Sequence, residues 1–159
     1  MARLRSRAPV LMLGVGRLEG EVRAQRARLG LEQRVEMLGW TRDPGSVIAG
    51  AAVLVVPSRD ESFSQTAVLG MGLGVPVIGT DVDGLPSTLG GGRGIIVAPE
   101  DPVALAAAVD GVLTGRLTVD AAAARRFARA FEPERVAGIH EETYRGLTAT
   151  ALAVAPAFA

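Results

Sequence analysis

Short apolar runs alternate with helical patterns along nearly all of this 159-residue chain. That alternation constrains the fold more than any other feature. The runs lie at residues 10–13, 35–38, 53–56, 75–78 and 94–97 and are nearly all apolar. A strand with one wet face alternates apolar and polar residues, whereas a continuous apolar run suits a strand covered on both faces. Helical patterns fill the gaps. Residues 19–29 are amphipathic, carry Arg23, Arg26 and Arg28 on the polar side, and are stopped by Gly30. Asp43-Pro44 opens a short helix through Ala49, and residues 63–73 form a third that Gly74 closes. Asp101 followed by Pro102 pairs an N-cap with a proline at the first helical position, and starts a helix over 102–113. Further helices begin at Thr118–Asp120, including 121–130, and at Glu132-Pro133, running through 144. Repeated strand–helix units predict an α/β fold with a doubly wound parallel sheet of about five strands and helices on both faces. The length predicts one domain spanning 1–159.

Composition narrows the chemistry. Formal net charge is zero, so no basic excess points to nucleic acid and no acidic excess to a disordered tail. Cysteine is absent, which excludes disulfides, thiolate catalysis and Cys-based metal sites. One histidine, His140, cannot build a metal cluster alone; it reads as structural or exposed. All 17 basic residues are Arg, so no lysine serves as base, Schiff-base amine or phosphate ligand. The apolar runs at 10–15 and 151–159 are too short to span a membrane, and a cytoplasmic location is expected.

The candidate site follows the third apolar run, in Pro57-Ser58-Arg59-Asp60-Glu61-Ser62-Phe63-Ser64-Gln65-Thr66, and continues to Gly74-Val75-Pro76-Val77. Ligands of open parallel sheets bind beyond the carboxyl ends of strands, where helix N-termini attract anions. Glu61 stands at such an end and can accept hydrogen bonds from hydroxyl groups. The alternative is a surface carboxylate beside a helix start, stabilised by about 0.3–1 kcal/mol. Gly14-Val15-Gly16 between the first strand and helix forms a tight turn; with Glu19 at the position of a third glycine, it is not a dinucleotide fingerprint. Asp81 and Asp83 fit an ordinary turn around Gly84 and Pro86 better than a metal site. The Gly90–Gly92 triplet reads as a mobile loop.

The run from Pro57 through Leu89 resembles the donor-binding core of family 4 GT-B glycosyltransferases, which shows Pro-Ser, a short gap, Glu-Gly-Phe-Gly, a second Glu and Gly-x-Pro-Val. The resemblance covers about residues 9–147 and implies the Rossmann-like half of a GT-B enzyme. It implies a chain lacking the N-terminal acceptor domain and the opening βα unit. By resemblance, Glu61 bonds the donor sugar, and Ser62, Phe63, Ser64 and Gln65 line the donor through the turn and helix start. Gly14 and Gly16 lie near the donor phosphates, and Trp40 either stacks on the base or packs against another domain. Arg17 and Arg59 are the local candidates for stabilising a leaving diphosphate, and Arg93 is a loop arginine with phosphate reach or a solvated charge. Leu69 replaces the second Glu, which bonds the ribose in the family, and Ser87 replaces a Glu after Gly-x-Pro.

The resemblance thus implies binding of a nucleotide-diphosphate sugar for transfer to an acceptor held elsewhere, with no cofactor and no metal. The expected partner is a separate acceptor-domain chain, or self-association through an exposed sheet edge. The alternative is a catalytically dead relic or interaction module of the same fold, and a weaker third option is a nucleotide-sugar epimerase domain.

Overall fold

The computed structural model describes residues 2–154. The apolar stretch read at 151–159 lies outside the described residues from 155 onward. The elements are β1 (Val10–Leu13), α1 (Glu19–Arg28), β2 (Val35–Gly39), α2 (Pro44–Ala49), β3 (Leu54–Val56), α3 (Gln65–Leu73), β4 (Val77–Thr80), α4 (Leu85–Leu89), β5 (Ile95–Val97), α5 (Pro102–Leu113), α6 (Ala121–Arg129) and α7 (Pro133–Val154). All strand pairings are parallel, as the apolar runs predict. The architecture is Rossmann-like α/β. Hydrogen bonding nevertheless divides the strands into a pair, β1-β2, and a triplet, β3-β4-β5.

The triplet carries the core. β4 is its middle strand and is buried along its whole length. Successive strand residues point to opposite faces, and Val77 and Ile78 do so here. Val77 joins Met71 of α3, Leu85 and Leu89 of α4, and Ala124 and Ala128 of α6. Ile78 joins Leu4, Ala106, Ala108 and Val109, so α5 covers the other face. Gly70 explains the closeness of α3. A Cβ there would stand 2.6 Å from a Leu54 methyl and 3.1 Å from one of Val77. Glycine in a helix costs about 1 kcal/mol against alanine, but this helix needs it to lie against β3 and β4.

The first strand departs from expectation. β1 reads as covered on both faces, yet Leu11, Met12 and Leu13 are 47%, 38% and 37% exposed. β1 pairs with β2 alone, and no residue of α1 is buried. Boundaries also shift for local reasons. The run at 75–78 enters the ladder only at Val77, because the Val75 N–H donates to Gly70 O at 2.9 Å to close α3 and Pro76 has no N–H to give. α3 starts at Gln65 rather than Phe63, since Ser64 is its N-cap and accepts the Ala67 N–H. The expected turn around Gly84 and Pro86 is the opening of a short helix, α4, with Gly84 as its N-cap and Pro86 in its first turn. The last helix extends to Val154 rather than 144. The glycine triplet is tied at both ends: the Gly90 N–H donates to Pro86 O at 2.9 Å, and Gly92 O accepts the Asp120 N–H at 2.8 Å.

Asp110 ties down the N-terminal segment. It sits in the apolar run of α5, and its carboxylate accepts the backbone N–H groups of Arg5 at 2.9 Å and Ser6 at 3.1 Å. The Arg5 amide, then the Ser6 amide, holds its pKa below the usual aspartate value. Arg34 donates to the carbonyls of Ser6 and Ala8 from the other side.

Candidate functional site

The chain leaves β3 at Val56 and crosses to α3 through the turn that carries Glu61. A second loop, from β4 to α4, holds this turn. Buried Thr80 donates its hydroxyl to Ser58 O at 2.6 Å. The Ser58 hydroxyl lies 3.3 Å from a Glu61 carboxylate oxygen and donates to it. The Glu61 N–H donates to the Asp83 carboxylate at 3.1 Å, and the Gly84 N–H donates to Glu61 O at 2.9 Å. The loops approach so closely that a Cβ on Gly84 would stand 2.0 Å from Ser62 O. The half-buried Glu61 is therefore fixed at the mouth of the triplet, while Ser62 beside it is exposed.

Ser64 is 2% exposed, and its hydroxyl caps α3. The N–H groups of Gln65 and Thr66, in the first turn of that helix, have no acceptor among the described residues. Orphan donors of this kind attract anions. Phe63 is 40% exposed and packs against Phe131 at a ring distance of 4.8 Å. Phe131 in turn meets Phe127 at 5.2 Å. Leu69 faces a cleft of about 640 Å³ between α3 and α7, shared with Phe63, Gln65, Val68, Phe131 and His140. Sequence reasoning gave His140 no part in such a cleft; its place follows from α7 forming the wall opposite α3, which no local pattern encodes.

The arginines divide. Arg93 donates to Thr88 O at 2.9 Å and Ser87 O at 2.6 Å, and its guanidinium lies 4.4 Å from the Phe127 ring centroid. It is thus neither a solvated charge nor poised toward a phosphate; it closes the end of α4. Arg59 pairs with Glu100 at 3.3 Å, with both side chains largely exposed. Arg17 is exposed and makes no hydrogen bond or ion pair among the described residues. The turn that carries Gly14 and Gly16 meets the end of β2, where Trp40 follows, through the Gly14 N–H, which donates to Gly39 O at 2.7 Å. Trp40 is 69% exposed. No hydrogen bond among the described residues joins this second group to the Glu61 turn. Among them, too, no three His, Cys, Asp or Glu side chains gather where they could hold a metal ion. No helix among them is long and apolar enough to cross a membrane.

A family model described as "Glycosyl transferases group 1" matches residues 1–115. The chain belongs to this family. The family's relatives include a D-inositol 3-phosphate glycosyltransferase of Geodermatophilus obscurus, 42% identical over 86 residues, which are 54% of this chain and 19% of that protein. A lipopolysaccharide core biosynthesis mannosyltransferase, LpsB, of Rhizobium meliloti is 30% identical over 137 residues, 80% of this chain and 39% of that one. Among solved structures, Anabaena HepE in complex with UDP-glucose superposes with a TM-score of 0.78 at 23% identity, covering 93% of this chain and 43% of that one. Sucrose-phosphate synthase of Thermosynechococcus elongatus gives 0.73 at 29% identity, over 88% and 38%. The chain therefore spans less than half the length of these relatives and solved structures, and it corresponds to the C-terminal, Rossmann-like domain of a GT-B glycosyltransferase.

Proposed function

We propose that this domain binds a nucleotide-diphosphate sugar at the carboxyl ends of β3 and β4, for glycosyl transfer to an acceptor held by a separate domain or chain. The observation that carries the reading is the braced Glu61 turn, with an acceptor carboxylate and the free first-turn N–H groups of α3 side by side. Glu61 accepts sugar hydroxyls. The amides of Ser62, Phe63, Ser64 and Gln65 face the sugar and diphosphate. Gly14, Gly16 and Trp40 supply the nucleotide side, with Arg17, next in sequence to Gly16, as a cation unpaired among the described residues. HepE, which shares the fold, is known in complex with UDP, with UDP-glucose, and with UDP and glucose. That supports a uridine nucleotide sugar as the first ligand to try.

The test is a titration of the chain with UDP-glucose, following backbone amide shifts. Saturable shifts at residues 61–65 and 14–17, weakened in Glu61→Ala, are expected. A folded protein with no shifts at millimolar ligand refutes donor binding by this domain alone. A second reading, a non-catalytic interaction module, is favoured by two observations. Leu69 cannot accept a ribose hydrogen bond, and β1 presents Leu11, Met12 and Leu13 to solvent. It predicts self-association or partner capture with no nucleotide-sugar response.

A further inference from the structure

We infer that Asp83 is the positioning residue of the Glu61 turn. The inference deepens the donor-site reading and rests on it for its functional consequence. Three observations converge on this side chain. Its carboxylate accepts the Glu61 N–H at 3.1 Å, across 22 positions of sequence. Its backbone lies at φ 42°, in the left-handed region that L side chains other than Asn and Asp rarely adopt. The next residue, Gly84, donates its own N–H to Glu61 O at 2.9 Å and lies so close to Ser62 O that no side chain fits.

The Asp83–Gly84 pair therefore grips both ends of one residue, with an acceptor for the N–H of Glu61 and a donor for its carbonyl. A residue held in a sparsely populated conformation persists where its surroundings over-determine it, and such residues cluster at ligand sites. Gripping the peptide groups on either side of Glu61 leaves its carboxylate to be oriented, among the described residues, by Ser58. It also keeps the Glu61 N–H off the ligand. The turn thus presents to a sugar the Glu61 side chain and the amides after it, and not the Glu61 amide.

Charge has to be separated from geometry in the test, because Asp60, Glu61 and Asp81 make the mouth acidic beside an anionic ligand. Asp83→Asn and Asp83→Gly both remove the charge, and both tolerate the left-handed backbone. Only Asn keeps an acceptor oxygen. Hydrogen exchange at the Glu61 amide and UDP-glucose affinity are measured for the parent chain and both variants. The Glu61 amide is expected to exchange about tenfold faster in D83G than in D83N, and UDP-glucose to bind D83G roughly fivefold more weakly than D83N. Equal exchange in the two variants overturns the inference. Equal affinity despite different exchange also overturns it, since the brace would then position nothing the donor uses. An exchange difference with no UDP-glucose bound by any of the three proteins keeps the brace and refutes the donor-site reading instead.

Discussion

Replacing Gly84 by alanine tests the joint between the two site loops with little else disturbed. Gly84 lies at φ −81° and ψ −13°, an ordinary right-handed conformation, so alanine adds no backbone strain. The whole effect is the new methyl group. Its Cβ would stand 2.0 Å from Ser62 O, 2.8 Å from the Ser62 carbonyl carbon and 3.1 Å from Glu61 O. These are backbone atoms, which cannot swing aside as a side-chain tip can. Reaching an ordinary contact of about 3.5 Å requires the loops to part by roughly 1.5 Å. That motion stretches the Gly84 N–H to Glu61 O bond, now 2.9 Å, beyond hydrogen-bonding range. Overpacking of this kind costs about 1–3 kcal/mol, and the lost bond adds about 0.5–1.5 kcal/mol. The expected destabilisation is therefore about 1.5–4.5 kcal/mol, read as a lower urea midpoint at unchanged slope. Gly20→Ala is the matched control. It lies in α1, where a new methyl would meet nothing within 4 Å, and is expected to gain about 0.5–1 kcal/mol from helix propensity. A Gly84→Ala protein as stable as its parent, with the Glu61 amide still protected, would show that the loops do not meet as described.

Two further substitutions probe the site and the frame around it. Leu69→Glu restores a carboxylate at a position that is 37% exposed and able to hold one in water. If the donor site is as proposed, isothermal titration with UDP-glucose should show tightening of roughly tenfold to a hundredfold, the worth of one charge-assisted bond; unchanged affinity places the ribose elsewhere. Asp110→Asn tests the N-terminal tie. The folded pKa of Asp110 is depressed, so its stabilisation is present above the unfolded value near 3.8 and is lost as pH falls through the lower folded value. Urea midpoints from pH 6 down to pH 2.5 should therefore fall less in the Asn variant than in the parent, and parallel curves would contradict that assignment.

Strand positions were legible because burial on both faces writes itself as continuous apolar sequence. The triplet β3-β4-β5 follows the runs to within one residue, except where Pro76 and the closing of α3 delay β4 by two. The Glu61 turn was legible because polar residues cluster between a strand and a helix. The hold on that turn was not. Asp83 reaches Glu61 across 22 positions and reads locally as one more turn residue. Arg93 likewise reads as a surface charge, and its role depends on where Phe127 of α6 arrives. The exposure of β1 was hidden for the converse reason: an apolar run announces that a strand prefers cover, not that cover is present.

That exposure makes the molecule mechanically uneven. Of the buried apolar side chains among the described residues, only Leu4, Val35 and Ile48 precede β3; the others lie from Val56 to Ala128. Local opening is least costly where few apolar contacts must be given up. The β1-α1-β2 unit should thus breathe on its own while the Glu61 turn stays closed. Gly14 and Trp40 ride on the loose part and Glu61 on the firm one. Any ligand that touches both acts as a splint, and its affinity is lowered by whatever ordering the loose part still requires.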